Sequence, residues 1–594
     1  MIFPKLNELP VSRSVTEEFL GYNHNLRIGG GEFYDMKNLT SSYYPVLSPR
    51  SKRGVYAEPY SPQGLIAKDN LCYVDNGKLY IDKSEVVGLE LTVSPKQLIS
   101  MGAYIIIMPD KKWVNTTDLT YGAIEASFNP EEEVISAKYE MCKVDGELYT
   151  NTIQSNTPPD PDAENGTYPL WIDISTSPHA LKQYSTSNDV WSQIGTTYIK
   201  ISAPNIASEF KQYDAVKITG LPSDMYSAKD LEGKVSPLWE AYHDPNGGEG
   251  DYIVVVGFID YAIPARETAL KLERTMPKMD FIIESGNRLW GCRYGLNADN
   301  EVVNEIYASK LGDFKNWFCY MGLSTDSYAA SCGTDGQWTG AITHLGYPLF
   351  FKENFLHKVY GNFPANFQIQ STACRGVERG SGNSLAIVNE VLYYKGRSGV
   401  CAYDGSLPGE ISYQFGEERY SEAVAGSHGN KYYISMKDNK GAYHLFVYDT
   451  AKGLWHKEDE VNALCFCSCR DELYYIDRSD KKIKTIFGSG AEGEGPIDWM
   501  AETGVIGTSS PDKKYVSRLN IRMALDKGAK VTFYAQYDSF GEWHHISSMV
   551  GTSLRTFTVP VRPRRCDHFR LRIVGTGDGK IYSIAKTIEE GSDI

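Results

Sequence analysis

The stretch "NLCYVDNGKLYID", from Asn70 to Asp82, decides the fold class. Apolar and aromatic residues on both sides of Asn76 and Gly77 favour two short β-strands, and an Asn-Gly pair supplies the two positive-φ positions of a type I′ turn. The stretch therefore predicts a tight antiparallel hairpin. An all-β fold follows where the same pattern recurs along the chain.

The hairpin pattern recurs at intervals. Seven further stretches show it, and they are residues 101–116, 138–150, 279–295, 345–361, 384–405, 428–458 and 465–486. Repeated antiparallel hairpins spaced by roughly 40 to 50 residues are typical of a β-propeller, in which each blade is a four-stranded sheet. We therefore expect an all-β chain built around a β-propeller. An array of β-sandwiches produces a similar pattern and stays open as the alternative.

Interruptions of this spacing predict the domain organisation. The Pro- and Gly-rich loop at residues 156–167 and the strand-like stretches after it indicate a small β-barrel inserted in the propeller, and the Gly-rich linker at residues 488–504 precedes a last group of strands. The predicted segments are an extended N-terminal arm at 1–60, a β-propeller at 61–187 and 265–488, an inserted small β-barrel at 188–264 and a C-terminal β-sandwich at 495–594.

The arm contains "FYDMKNLTSSYYPVLSPRSKRG", from Phe33 to Gly54, which fits neither a helix nor a hairpin. Pro45 and Pro49 exclude a regular helix, and the aromatic and basic side chains suit an extended segment that docks on a folded surface. The residues that we expect to be buried are Tyr43, Tyr44, Val46 and Leu47. The residues that we expect to make polar contacts are Arg50, Lys52 and Arg53.

Composition excludes several classes of protein. The 594-residue chain has 75 acidic and 60 basic residues, a formal net charge of −15, which argues against a protein that grips nucleic-acid phosphates. It has no apolar run that could span a bilayer, and its N-terminal sequence lacks the order of a signal peptide. We therefore expect it to fold in a cytoplasm.

The cysteines predict neither disulfides nor a metal site. The eleven cysteines include no CxxC pair. Cys465, Cys467 and Cys469 alternate along one predicted strand, so their side chains share one face, where we expect them to act as small buried apolar groups rather than as thiolate ligands.

No catalytic motif stands out. The chain lacks HExxH, GxSxG, a Walker-type loop and an EF-hand loop. Residues 29–33, "GGGEF", precede no helix pattern and carry no Lys, so a turn is favoured over a phosphate cradle. Many of the acidic residues lie in hairpin turns, where turn formation explains them. The sequence therefore predicts no catalytic residues, no cofactor-binding residues, no cofactor and no metal ligands.

Three phrases carry a family resemblance: "KNLTSSYYPVLSPRSKRGVY" followed by the Asn70 hairpin, "NEIYASKLGDFKNW" at 304–317, and "LFVYDTAKGLWHKED" at 445–459. Together they resemble the tailed-bacteriophage tail proteins known as packaged-DNA stabilisation proteins, which are similar to the nozzle or hub components of short-tailed phages. The resemblance covers the propeller segments and, to a lesser extent, the C-terminal segment.

The resemblance implies a structural virion protein and no enzyme. Its implied role is a ring of six copies below the portal and adaptor, in the phage tail, which forms the DNA exit channel and retains packaged DNA until ejection. The implied partners are further copies of the chain, the head–tail adaptor, other tail proteins, DNA in passage and the host surface, with assembly in the bacterial cytoplasm. The inserted barrel and the 156–167 loop are candidates for the channel constriction.

Two other functions stay open. One is a receptor- or glycan-binding tail protein that uses exposed Tyr and Trp side chains, and such a protein predicts an aromatic platform at one end of a domain. The other is a polysaccharide-degrading enzyme, which requires two carboxylates at a fixed separation.

Overall fold

The computed structural model describes residues 11–130, 135–161, 169–297, 300–488, 493–508, 512–539, 541–561 and 564–590. Regular structure in these residues is almost entirely β-strand. The single α-helix found there, α1, is Ala228–Leu231, and three short 3-10 helices are Pro364–Asn366, Gly382–Ser384 and Tyr413–Phe415. Within the described ranges, the model contains no helix with the length and apolar character needed to span a membrane. The predicted all-β class is confirmed.

The strands fall into groups along the chain. The N-terminal strands are β1 (Val11–Thr16), β2 (Gly21–Tyr22), β3 (Glu32–Lys37), β4 (Leu39–Thr40), β5 (Ser48–Pro49) and β6 (Gly54–Ala57). The next two sheets use β7 (Pro62–Ala67), β8 (Leu71–Asp75), β9 (Lys78–Ile81), β10 (Ser84–Glu85), β11 (Gln97–Met101), β12 (Tyr104–Met108), β13 (Lys112–Asn115) and β14 (Tyr121–Ala123).

The middle of the chain holds a long second group. Its strands are β15 (Ala126–Phe128), β16 (Ile135–Cys142), β17 (Thr152–Ser155), β18 (Leu170–Asp173), β19 (Ala180–Ser185), β20 (Val190–Gln193), β21 (Tyr198–Ser202), β22 (Ala215–Thr219), β23 (Val235–Pro237), β24 (Glu240–Tyr242), β25 (Tyr252–Val256), β26 (Ile263–Thr268) and β27 (Lys271–Arg274).

Further four-stranded sheets follow. Their strands are β28 (Phe281–Ser285), β29 (Arg288–Leu296), β30 (Val302–Ala308), β31 (Tyr328–Ser331), β32 (Trp338–His344), β33 (Tyr347–Lys352), β34 (Phe355–Tyr360), β35 (Gln368–Ala373), β36 (Ala386–Val388), β37 (Val391–Lys395), β38 (Val400–Tyr403), β39 (Gly409–Glu410), β40 (Tyr420–His428), β41 (Lys431–Asp438), β42 (Tyr443–Asp449), β43 (Leu454–Lys457), β44 (Ala463–Cys469), β45 (Glu472–Asp477) and β46 (Ile483–Thr485). The C-terminal strands are β47 (Asp498–Thr503), β48 (Lys514–Tyr537), β49 (His544–Val559), β50 (Phe569–Thr576) and β51 (Gly579–Glu590).

The hairpin predicted for Asn70 to Asp82 forms as expected. Strands β8 and β9 pair antiparallel, with Asp75 opposite Lys78. Asn76 and Gly77 have φ angles of 47° and 77°, the two positive values of a type I′ turn. A Cβ on Gly77 would lie 2.5 Å from the carbonyl oxygen of Leu91, so this turn position also requires the absence of a side chain.

Four-stranded antiparallel sheets repeat along the chain in the manner of propeller blades. They are the sheets β7–β10, β11–β14, β28–β31, β32–β35, β36–β39 and β40–β43, each formed by consecutive strands. A further sheet contains β44, β45 and β46, and takes its outer strand from β6, near the other end of the repeat array. Closing the last blade with a strand from the beginning of the array is how propellers join their two ends, and the propeller-like fold class is confirmed.

The described residues form two compact units. The first comprises residues 1–98, 334–358 and 370–594, and the second comprises 99–333 and 359–369. In the second unit, β16 pairs with both β21 and β26, and β27 pairs with β15 and β22. One apolar core that includes Tyr139, Ile199 and Val255 joins these sheets.

These pairings correct the predicted boundaries of the insertion. Its sheets run from Ala126 to Arg274, so 188–264 is too narrow and residues 126–187 do not belong to the blades. The cause is non-local pairing, since β15 and β16 lie far in sequence from β26 and β27. Residues 162–168, which include the whole second half of the 156–167 loop, lie outside the described residues.

In the first unit, the C-terminal strands form a sheet with the order β1-β51-β48-β50-β47-β3-β2, and β49 pairs with β48. Strand β48 pairs with β51 over its first half and with β50 over its second half. Side chains from both halves meet in one core, which includes Ile521, Ile573 and Ile581, so the sheet forms two facing layers. Strands β1 to β3 belong to this sheet, and residues 11–37 are therefore not a separate extended arm.

The same core continues into the sheets β36–β39 and β40–β43. Trp455 is fully buried in it, and its indole N–H donates to the carbonyl oxygen of Ile411 at 2.8 Å. Burying a large apolar side chain of this kind contributes about 2 to 3 kcal/mol. The sandwich and these neighbouring sheets therefore stabilise each other.

Candidate functional site

The segment that follows β4 is fixed against the sandwich. Leu47 and Ile581 exchange backbone hydrogen bonds of 3.0 and 2.9 Å, and Leu47 is 2% exposed. Ser41 donates to the carboxylate of Asp449 at 2.6 Å. The chain from Ser41 to Leu47 is thus held at both ends.

A cluster of buried charges fixes the next turn of the segment. Arg50 donates to Glu494 at 2.7 and 3.0 Å and lies 3.2 Å from Asp459. Arg53 contacts Asp459 at 3.0 Å and also forms an ion pair with Glu458. The guanidinium planes of arginine suit such multiple contacts with carboxylates. The cluster borders a cavity of about 800 Å³.

The pKa values of two carboxyl groups of this cluster, those of Asp459 and Glu494, are lowered. Burial raises the pKa of Asp459, but Arg53 and Arg50 outweigh it and hold the pKa below its usual range. Burial also raises the pKa of Glu494, and Arg50 again holds it low. A general acid needs a carboxyl whose pKa is raised toward the working pH. These two groups are therefore suited to holding the segment in place rather than to donating protons.

The other side of the segment forms a cleft of about 450 Å³. Tyr43 and Lys52 lie on the segment itself, and the opposite wall comes from the sandwich. The residues of the sandwich that line the cleft are Ala524 and Asp526 in β48, Asp578 between β50 and β51, and Gly579, Lys580 and Tyr582 in β51. The two parts of this wall are joined, because the Asp526 N–H donates to the carbonyl oxygen of Asp578 at 3.0 Å.

The cleft places an aromatic ring among hydrogen-bonding groups. Tyr43 is 52% exposed, and the Lys580 ammonium lies 3.9 Å from the centre of its ring. Asp526 and Asp578 are exposed, and Tyr582 is half-buried. Carboxylates accept hydrogen bonds, ammonium groups donate them, and an aromatic face packs against C–H groups.

One buried group of the cleft lacks a partner. Ser48 is 3% exposed and lines the cleft, and its hydroxyl makes no hydrogen bond to any residue that the structure describes. A buried hydroxyl without a hydrogen bond costs roughly 1 to 3 kcal/mol.

The expectations for this segment are met in part. Leu47 is buried, and Arg50 and Arg53 make the predicted polar contacts. The prediction that Tyr43 and Tyr44 are buried is wrong, since the two residues are 52% and 36% exposed. Val46 is half-buried and Lys52 is exposed. The turn in which the Val46 N–H donates to the Tyr43 carbonyl directs the two tyrosines outward.

The acidic side of the cleft was not singled out from sequence. Asp526 lies in β48, where the pairing with β49 shifts register, and Asp578 lies between β50 and β51, about 50 residues later. From sequence, the Asp, Lys and Gly residues of "LDKG" and "TGDGK" predict turns and nothing more. Only the pairing of β48 with β51 brings the two aspartates together.

The three alternating cysteines show the expected apolar packing, since Cys465, Cys467 and Cys469 lie in one apolar cluster with Leu71 and Ile476. Only Cys469 is buried, and Cys465 and Cys467 are half-buried. Burial raises the pKa of the Cys465 thiol to about 12, which favours the uncharged form over a thiolate ligand. All eleven cysteines are unpaired, and the described residues contain no group of three His, Cys, Asp or Glu side chains placed to hold a metal ion.

Comparisons with known proteins give structural neighbours only. No family model matches the chain, and no curated protein matches it. An exo-β-1,3-galactanase from Phanerochaete chrysosporium solved with galactose is 10% identical, with 51% of this chain and 94% of that chain covered and a TM-score of 0.21. A Trypanosoma rangeli sialidase solved with 2,3-difluorosialic acid is 9% identical, with 58% and 93% covered and a TM-score of 0.19.

A third neighbour is a family 43 arabinoxylan arabinofuranohydrolase from Bacillus subtilis solved with cellotetraose. It is 9% identical, with 51% of this chain and 94% of that chain covered and a TM-score of 0.16. At such TM-scores these likenesses assign no activity to this chain.

Two predictions are corrected on these findings. The solved structures reported above are two glycoside hydrolases and a sialidase, and none of the three is a tail protein. The predicted tail nozzle or hub that retains DNA is withdrawn, and so is the prediction that the chain is no enzyme. The resemblance to the tail protein family, the ring of six copies, the adaptor and DNA partners and the virion location stay predictions.

Proposed function

We propose that this protein binds carbohydrate, through the cleft between Tyr43 and the wall of the sandwich that carries Asp526 and Asp578. The observation that carries the proposal is the composition of the cleft, which combines an exposed aromatic ring with side chains that accept and donate hydrogen bonds. A sugar ring is complementary to both features, since it presents C–H groups on one face, which pack on an aromatic ring, and hydroxyl groups at its edge, which form hydrogen bonds. The cleft is also of the size of a small-molecule site, about 300 to 1,000 Å³.

The position of the cleft supports the proposal. The wall that carries Lys580 and Tyr582 belongs to β51, which pairs with β48 at Lys580 and bridges to Leu47 at Ile581. The Tyr43 wall is held by Leu47 and Arg50. Sites held on such rigid elements lose little conformational entropy when they bind a ligand.

The test is direct binding to sugars. The full chain is applied to a printed array of bacterial cell-surface glycans, and the strongest hit is then titrated by calorimetry. The proposal expects saturable binding that becomes about tenfold weaker in Tyr43→Ala, because an aromatic contact of this kind contributes ~1 kcal/mol or more. Asp526→Asn and Asp578→Asn are expected to weaken binding in the same direction.

Tyr60→Ala is the matched control. Tyr60 is 78% exposed and also has a lysine near its ring, Lys481 at 5.8 Å, but it does not line the cleft. Its replacement is expected to leave binding unchanged. The proposal fails if the array shows no binding, or if Tyr43→Ala and Tyr60→Ala have the same affinity as the unaltered protein.

A further inference from the structure

A lysine faces the interior of the sandwich. Along β51, Ile584, Lys586 and Ile588 alternate and so share one face of the strand. Ile584 is 4% exposed in the core, and Ile588 packs against a second apolar cluster of the sandwich. The side chain of Lys586 is therefore directed toward the same interior.

Lys586 lines a cavity of about 180 Å³ whose walls are apolar over about half of their area. The large side chains around it are Phe19, Phe33, Ile506, Leu571 and Ile584. The cavity holds far more than one water, whose share of liquid volume is about 30 Å³, and it is smaller than a typical drug site of roughly 300 Å³ or more. It therefore suits a molecule of a few carbon atoms.

The ammonium group of Lys586 has no partner among the described residues, in either hydrogen bonds or ion pairs. The nearby carboxylate that lines the cavity, Glu32, already accepts from Asn23 at 2.8 Å and from the Gly29 N–H at 2.6 Å. Burial lowers the pKa of Lys586, and no acid offsets that effect. Lys586 is half-buried, so part of the cost of leaving its ammonium group without a counter-ion remains, and an anion in the cavity would reduce that cost.

We propose that this cavity is a second binding site, which takes a short-chain carboxylate with its headgroup on Lys586 and its alkyl tail among Phe19, Phe33 and Leu571. Charge complementarity selects the headgroup, since a carboxylate supplies the missing counter-ion. The apolar walls select the tail. This site is separate from the Tyr43 cleft and does not depend on carbohydrate binding.

The glycine loop between β2 and β3 forms the mouth of the cavity. Gly29 and Gly30 are exposed and line it, so a ligand enters beside them. Gly504 lets the opposite wall approach closely, because a Cβ there would lie 2.4 Å from Ile28.

Calorimetric titration of the full chain with hexanoate and with hexanol tests the proposal. The two probes have the same chain length and differ in charge. We expect hexanoate to bind at one site and hexanol to bind at least about tenfold more weakly, because a hydrogen bond to a charged group contributes ~1.5 to 3 kcal/mol. Lys586→Met is expected to lose the preference for hexanoate, whereas Lys586→Arg is expected to keep it.

Lys530→Met is the matched control, since Lys530 lies exposed on β48 of the same sheet and does not line the cavity. A second measurement uses the unaltered protein, so that it does not depend on how the variants fold. The lysines are acetylated with acetic anhydride and mapped by mass spectrometry, and hexanoate is expected to protect Lys586 but not Lys530.

Three results would overturn the proposal: no hexanoate binding, equal affinity for hexanoate and hexanol, or acetylation of Lys586 that hexanoate does not slow. Unchanged hexanoate affinity in a folded Lys586→Met variant would overturn it as well.

Discussion

Arg50 binds both carboxylate oxygens of Glu494, at 2.7 and 3.0 Å, although 444 residues separate the two in sequence. The pair joins the segment after β5 to the start of the C-terminal sandwich. Arg53 adds a second link, through Glu458 and Asp459, to the end of the sheet β40–β43. A few buried charges thus fix the segment that forms one wall of the Tyr43 cleft.

Replacement of Arg53 tests how much these charges matter. Arg53→Met leaves Glu458 and Asp459 without their main cation, and breaking a buried pair in this way costs about 3 to 5 kcal/mol. We expect urea unfolding to report a loss of this size. Arg375→Met is the control, because the Arg375–Glu410 pair lies at the surface, with the arginine side chain 57% exposed, and should cost at most ~1 kcal/mol. Equal losses in the two variants would show that burial does not set the strength of the cluster.

The buried histidines predict a loss of stability in acid. Burial, helped by Lys352, lowers the pKa of His357 to about 4. The pKa of histidine in the unfolded chain is near 6.5, so between about pH 6.5 and pH 4 the unfolded chain binds a proton that the folded chain does not bind. The contribution of neutral His357 to stability is therefore fully present above this pH range and decreases as the pH falls through it. His456, whose burial lowers its pKa to about 3, acts in the same direction.

His357→Gln isolates one of these contributions. The comparison is the difference in unfolding free energy between the unaltered protein and the variant, measured near pH 8 and near pH 4.5. We expect that difference to shrink by about 2 kcal/mol at the lower pH, since the variant no longer has this titrating group. A difference that stays constant between the two pH values would contradict a buried neutral His357.

The features of the fold that can be predicted from the sequence are those that depend on a few neighbouring residues in turns. The type I′ hairpin at Asn76 and Gly77 depends on two adjacent residues, and the repeated hairpins follow from the same kind of local signal. The limits of the insertion could not be found in this way, because β16 reaches its partners β21 and β26 across long stretches of chain. The same limitation applies to strands β1 to β3, which complete a sheet made by the opposite end of the chain.

The candidate site was harder to predict for a related reason. Tyr43 was expected to be buried because large aromatic residues usually are, but the cleft needs it exposed. Asp526 and Asp578 carried no motif, and they meet only because β48 and β51 pair. Lys586 interrupts an apolar alternation between Ile584 and Ile588, and this irregularity is visible in the sequence.

Ser48 offers a test that separates stability from binding. Its buried hydroxyl has no partner among the described residues, so Ser48→Ala removes an uncompensated polar group and is expected to raise the unfolding free energy by ~1 kcal/mol. The same change should weaken binding of the glycan identified on the array. Ser51→Ala, at an exposed position of the same cleft, should leave stability within ~0.5 kcal/mol. A less stable Ser48→Ala variant would show that the hydroxyl is already bonded in the free protein.

Two adjacent glycines test the loop at the mouth of the Lys586 cavity. Gly31 has a φ of 92°, and a Cβ there would lie 2.2 Å from the carbonyl oxygen of Glu18, a backbone atom that cannot move aside. Gly31→Ala is therefore expected to cost about 2 kcal/mol or more, from backbone strain and from the displaced strand entry. Gly30 has open space around its Cβ position, so Gly30→Ala should change stability by less than ~0.5 kcal/mol. Urea unfolding of both variants measures these losses of unfolding free energy. A larger loss in Gly31→Ala would show that the loop requires glycine at this one position. Equal losses in the two variants would show that the glycines of the loop are interchangeable.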